Sequence, residues 1–109
     1  MMPSTTIPIT VEPAAAARVR ELGLEQDLER MLDHLTHHVP GLRSIEVRLD
    51  AEVNMWDYAS IILETHQDDP GKEDIERDEW TAWLAATFSG DSLRHFVRDY
   101  VYEEVPHGR

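Results

Sequence analysis

Residues 44–53 alternate between polar and apolar side chains without interruption. The apolar set is Ile45, Val47, Leu49, Ala51 and Val53, and the polar set is Ser44, Glu46, Arg48, Asp50 and Glu52. Successive side chains of a strand point to opposite faces of its sheet, so this pattern predicts a strand with one dry face and one wet face. Such strands are typical of antiparallel sheets that are covered on one side only.

Residues 58–66 are predicted to form the second strand of a hairpin. Its core set is Ala59, Ile61, Leu63 and Thr65. The second face of this strand is mixed, because it carries Tyr58 and Ile62 beside Glu64 and His66. We therefore expect that the face of the sheet opposite the core is partly covered rather than fully wet.

The register of this hairpin follows from parity. Opposed residues must share parity if both apolar sets lie on one face, which requires an odd number of loop residues. A loop of residues 55–57 sets Glu46 opposite His66 and Arg48 opposite Glu64. A shift of two residues would set Glu46 opposite Glu64, and like charges in direct opposition are destabilising. We therefore predict the first register.

Four helices are predicted around the hairpin. The first begins at Pro13, which suits a first turn, and ends at Gly23. The second begins near Glu25, carries apolar residues at three-four spacing and ends at Pro40-Gly41. The third begins near Ile75, and a fourth follows Ser89-Gly90. In the fourth, the residues at amphipathic spacing are Leu93, Phe96, Val97, Tyr100 and Val101.

A short strand is also predicted at Ile7–Val11, where Pro8 confines it to a sheet edge because proline donates no ladder hydrogen bond. These elements predict one α+β domain over residues 1–109, in the order (β)ααββαα. The central antiparallel hairpin packs against the four helices. The terminal residues 1–6 and 104–109 are expected to be flexible.

Charge and composition restrict the function. The chain has 22 acidic and 10 basic residues, a formal net charge of −12, which disfavours nucleic acid and anionic membranes as partners. It has no cysteine, which excludes thiolate chemistry and cysteine-ligated metals. No glycine-rich phosphate loop or nucleophile elbow is present, and we expect no cofactor. The N-terminus lacks the layout of a signal peptide, so a cytoplasmic location is expected.

A histidine group near the end of the second helix is one candidate metal site. His34 and His38 are four residues apart, on one helix face, and His37 lies between them. The glutamate of a zinc-protease motif is missing, because Leu35 follows His34. The alternative is that these side chains interact with the last carbonyl groups of the helix.

The second strand carries a candidate catalytic group. Glu64, His66 and Asp68 occupy alternate positions on one face, and Asp57 precedes the strand. Carboxylates with a histidine can hold a divalent metal or act as an acid–base pair. One class of nucleases uses an Asp followed by Glu-x-Lys, but the residue two positions after Glu64 is His66 rather than lysine. The alternative interpretation is a solvated sheet face with ordinary charge pairs.

Two further segments are candidates for interaction. Residues 68–79 are mostly acidic, which suits either a basic partner or a solvated loop that leads into a helix. They do not fit a calcium-binding EF-hand, because Pro70 and Lys72 occupy ligand positions. Met55 and Trp56 at the hairpin tip are candidate contact residues, or they fold back onto a helix.

These features favour a small non-enzymatic interaction protein, which we expect to form a homo-oligomer such as a dimer. The predicted open sheet edges support self-association, since unpaired strands readily accept another chain. One alternative is a metal-dependent hydrolase or nuclease that uses the strand carboxylates and His66. Another is an antitoxin-like inhibitor that binds a basic protein.

Overall fold

The computed structural model describes residues 7–39, 41–53, 59–68 and 73–103. These residues form four strands and four helices, which confirms the predicted α+β class. In chain order the elements are β1 (Ile9–Val11), α1 (Pro13–Leu22), α2 (Glu25–His38), β2 (Leu42–Val53), β3 (Ala59–Asp68), α3 (Glu73–Thr87), α4 (Gly90–Leu93) and β4 (Phe96–Glu103). No helix within the described ranges is long and apolar enough to cross a membrane.

The four strands form one sheet in the order β1-β2-β3-β4. Strand β2 pairs antiparallel with β3, as predicted, whereas β1 pairs parallel with β2 and β3 pairs parallel with β4. The prediction of an antiparallel sheet is therefore wrong for both outer pairs. A parallel connection must return the chain to the same end of the sheet, and here two helices make each return. The described elements thus form two consecutive β-α-α-β units.

The predicted fourth helix is mostly a strand. Helix α4 ends at Leu93, and β4 begins at Phe96. Apolar residues occupy both faces of this segment, so its spacing fits a helical period as well as a strand period. Its content of valine and aromatic residues favours the strand, and pairing with β3 supplies its hydrogen bonds.

The N-terminal half agrees more closely with the prediction. Helix α1 spans Pro13–Leu22, and Gly23 ends it with a left-handed φ of 70°. This conformation suits glycine because it has no Cβ. Strand β1 lies at the edge of the sheet, as predicted, but it begins after Pro8 rather than at Ile7.

The core lies between the helices and one face of the sheet. Met31 and Leu35 of α2 are fully buried in one cluster with Val47 and Leu63, which are register partners in β2 and β3. Burial of each large aliphatic side chain contributes about 1.5–3 kcal/mol to the stability of the fold. The helices therefore pack on the apolar face of the sheet. The other core residues are Ala15, Val19, Leu28, Ile45, Ile61 and Trp80.

An ion pair beneath α3 was not predicted. The side chains of Arg98 on β4 and Glu76 on α3 are 3 % and 9 % exposed, and both Nη groups of Arg98 donate to the Glu76 carboxylate. Arg98 Nη2 also donates to Gln67 Oε1 at 3.2 Å, and Arg98 Nε donates to Thr65 Oγ1 at 3.3 Å. The guanidinium lies over the ring of Trp80, with 5.1 Å from Cζ to the ring centroid. This network joins α3 to the β3–β4 half of the sheet.

Candidate functional site

The second face of the sheet lies opposite the packed helices, and we call it the helix-free face. Strand alternation places on it Ser44, Glu46, Arg48 and Asp50 of β2, Ser60, Ile62, Glu64, His66 and Asp68 of β3, and Val97, Asp99 and Val101 of β4. Five of these side chains are acidic and one is arginine. Ser60 and Ile62 are buried, in agreement with the expectation that the face is not fully wet.

The observed register places Glu46 directly opposite Glu64, so the predicted register is wrong. The core face sets Val47 opposite Leu63 in this register, and apolar packing outweighs a charge contact worth a few tenths of a kcal/mol. From the pair Ser44–His66 to the pair Asp50–Ser60, opposed residues share parity, as predicted. The pairing of β2 with β3 is also irregular between Asp50 and Val53. A bulge inserts extra residues into one strand and thereby shifts which residues are opposed.

Two cationic or polar partners compensate for this like-charge contact. His66 Nε2 lies 2.7 Å from Glu64 Oε1 and 3.8 Å from Glu46 Oε2. Arg48 Nε donates to Glu64 Oε2 at 3.2 Å, and Arg48 Nη2 lies 3.7 Å from Asp99 Oδ2. These contacts form one chain across β2, β3 and β4, which runs from Glu46 through His66, Glu64 and Arg48 to Asp99.

The environment of Glu64 favours its ionised form. Partial burial raises the pKa of Glu64, but the hydrogen bonds and charges of His66 and Arg48 together outweigh burial and hold the pKa below its usual value. Glu64 is therefore a carboxylate at neutral pH, able to accept hydrogen bonds or to bind a cation.

Glu46, Glu64 and His66 form a compact group, which we call the Glu46–Glu64–His66 cluster. Each residue offers one ligand atom, and these atoms all lie within 4.8 Å of one another. Within the described ranges, this is the one such group of three carboxylate or imidazole side chains. Carboxylate and imidazole groups at this spacing can hold a divalent metal.

The structure brings together only part of the predicted catalytic group. Glu64 and His66 are adjacent, whereas Asp68 forms a separate ion pair with Arg43, at 3.1 Å between Oδ1 and Nε. Asp57 lies outside the described residues, as do the predicted contact residues Met55 and Trp56. The sequence did not identify Glu46 as a site residue. The register that was rejected places Glu46 opposite Glu64, so that register would have included Glu46 in the candidate site.

The histidines of α2 are arranged as a stack. The ring of His34 lies 3.8 Å from that of Trp83 and 4.2 Å from that of His38, centroid to centroid. Nitrogen lone pairs lie in the ring plane, so stacked imidazoles direct them side by side rather than toward one ion. His37 Nδ1 instead lies 2.7 Å from the backbone oxygen of Asp33. This geometry favours the helix-end interpretation.

Burial lowers the pKa of His34, and His38 and Arg98 lower it further, against the opposing effect of Glu76 and Asp33. The lowered pKa of His34 favours its neutral form, which suits a ring stacked on Trp83. An open depression of about 750 Å³ lies beside these rings. It opens broadly to solvent, and its acidic and basic side chains define no single ligand chemistry.

Comparison of the chain with protein-family models, curated proteins and solved structures found no match.

Proposed function

We propose that this protein is a non-enzymatic interaction domain that binds a basic protein segment on its helix-free face. The observation that carries the proposal is the excess of acidic side chains on the sheet face that lies away from the described helices. The overall charge of −12 supports it, because a strongly acidic domain attracts basic partners over several ångströms.

Two acidic residues of this face are available to a partner. The side chains of Glu46 and Asp99 are 51 % and 47 % exposed. Their contacts with the side-chain nitrogens of His66, at 3.8 Å, and Arg48, at 3.7 Å, are too long to be strong hydrogen bonds. A lysine or arginine of a partner can therefore approach either carboxylate without first breaking a tight ion pair.

Strand β4 offers a second means of recognition. It is the outermost strand of the described sheet on that side, and its Val97 is 46 % exposed beside the buried Ile62. An extended peptide can pair with the backbone of an edge strand while its alternate side chains contact one sheet face. The basic segment is therefore expected to bind as an added strand beside β4, with its cationic side chains directed across the helix-free face toward Asp99 and Glu46.

A short synthetic peptide of alternating lysine and valine residues is a suitable probe. Its binding, followed by fluorescence anisotropy in buffer with EDTA, should weaken steeply as salt is raised. The double variant Glu46→Gln/Asp99→Asn should bind about thirtyfold more weakly, because each of the two exposed charges contributes about 1 kcal/mol at contact distance.

The matched control is Glu29→Gln/Asp33→Asn, which removes the same net charge from exposed positions of α2. It should bind the peptide as the unmodified protein does. Equal loss in both double variants would mean that only net charge matters, and the proposed face would be wrong. A salt-insensitive complex would contradict the electrostatic basis.

Self-association is a second candidate, favoured by the position of β4 as the outermost strand of the described sheet and by the exposed side chain of Val97. Two β4 strands can pair antiparallel and extend the sheet across a twofold axis. Light scattering tests this directly: a dimer should dissociate in Val97→Lys, which places a charge at the edge. A strict monomer at high concentration would eliminate this candidate and leave the peptide proposal unaffected.

A further inference from the structure

The Glu46–Glu64–His66 cluster has the ligand types and the spacing of a metal site. Glu46 and Glu64 are opposed across β2 and β3, and His66 follows Glu64 by two residues on the same face. The backbone of two paired strands therefore fixes all three side-chain origins. Sites on paired strands hold their ligands more firmly than sites on loops.

The distances fit a single ion. Ligand atoms about 2.0–2.2 Å from a shared metal are about 3–3.5 Å from each other in octahedral or tetrahedral geometry. The separations from His66 Nε2, 2.7 Å to Glu64 and 3.8 Å to Glu46, lie on either side of this range, and all three ligand atoms lie within 4.8 Å of one another. Small side-chain rotations would bring the three atoms to a common distance from one ion.

A cation at this point would also relieve the like-charge contact between Glu46 and Glu64. Arg48 approaches Glu64 through Oε2, whereas His66 contacts Oε1, so Arg48 does not occupy the oxygen that faces the cluster. A divalent ion between the carboxylates would neutralise both of them. The direct opposition of two glutamates then becomes favourable rather than costly.

We propose that Glu46, Glu64 and His66 bind one divalent transition-metal ion on the helix-free face. Two carboxylates with one imidazole and no thiolate suit Zn²⁺ or Mn²⁺, and Zn²⁺ should bind more tightly according to the general order of affinities. Three protein ligands leave coordination positions open to water or to a bound group. The site goes beyond the proposed peptide interaction, which is tested in EDTA and does not require a metal.

Isothermal titration of the EDTA-treated, dialysed protein with zinc chloride tests the site. We expect one ion per chain. Glu46→Gln and His66→Asn should each weaken the affinity at least about tenfold, since even substitutions of outer partners of metal ligands cost 10–100-fold. Circular dichroism checks folding, and the exposed position of Glu46 makes Glu46→Gln the safer variant.

The control is His37→Asn/His38→Asn, which removes two exposed imidazoles from α2. It should bind zinc as the unmodified protein does. No binding by the unmodified protein would overturn the proposal, as would affinity that Glu46→Gln leaves unchanged. Loss of binding in the His37/His38 variant alone would place the metal on α2 and likewise overturn it.

Discussion

Replacement of Arg98 by methionine should destabilise the protein by about 3–5 kcal/mol. The change leaves the Glu76 carboxylate buried without its cationic partner, and removal of one member of a buried pair has a cost of this size. Gln67 is also affected, because its Oε1 loses the Arg98 donor while its buried Nε2 already has no hydrogen-bond partner in the described structure. The packing over Trp80 is retained in part, since methionine keeps much of the arginine stem.

The matched variants are Glu76→Leu, with a similar expected cost, and the double variant Glu76→Leu/Arg98→Met. The double variant leaves no unpaired charge, so we expect a loss of only about 1–3 kcal/mol, mostly from Gln67. The coupling free energy between the two positions should therefore exceed about 2 kcal/mol.

Urea unfolding followed by tryptophan fluorescence measures these free energies of unfolding. Glu76→Gln serves as a milder variant if the larger changes leave the chain unfolded without urea. A single-variant loss below about 1 kcal/mol, or a double loss equal to the sum of the single losses, would refute the burial argument.

Two further predictions concern a helix end and a histidine. Gly23→Ala should lower the free energy of unfolding by about 1 kcal/mol, because Gly23 has a φ of 70°. Gly90→Ala, where an added Cβ meets nothing within 4 Å and φ is ordinary, should be nearly neutral in the same urea assay. The lowered pKa of His34 means that its contribution to stability is complete above pH 6.5 and is lost as pH falls through its folded pKa. Stability relative to His34→Gln should therefore shrink from pH 7.5 to pH 5, and an NMR titration midpoint of His34 above 6.5 would contradict this.

The sequence was sufficient for elements with one unambiguous period. The alternation of residues 44–53 and the three-four spacing of α2 each fit one structure only, and Gly23 supplies a clear end to α1. Strand β4 was missed because apolar residues on both of its faces fit two periods. The parallel β3–β4 pair could not be predicted once this segment was assigned to a helix, whereas the parallel β1–β2 pair was missed although both of its strands were predicted.

The candidate site was predicted in part for a similar reason. Glu64 and His66 lie on one strand, so alternation alone places them together. Glu46 joins them through the register, which depends on the packing of the whole core rather than on local charge. The pairing of Glu76 with Arg98 has no local signal, because Glu76 lies in an acidic segment that is typical of a solvated loop.

The most direct test of the interaction proposal is NMR mapping of the alternating lysine–valine peptide on the ¹⁵N-labelled protein in EDTA. The proposal predicts that amide shifts concentrate on β4 and on the β2 and β3 residues around Glu46 and Glu64. Shifts that concentrate on α1 and α2, or that spread evenly over the acidic surface, would contradict it.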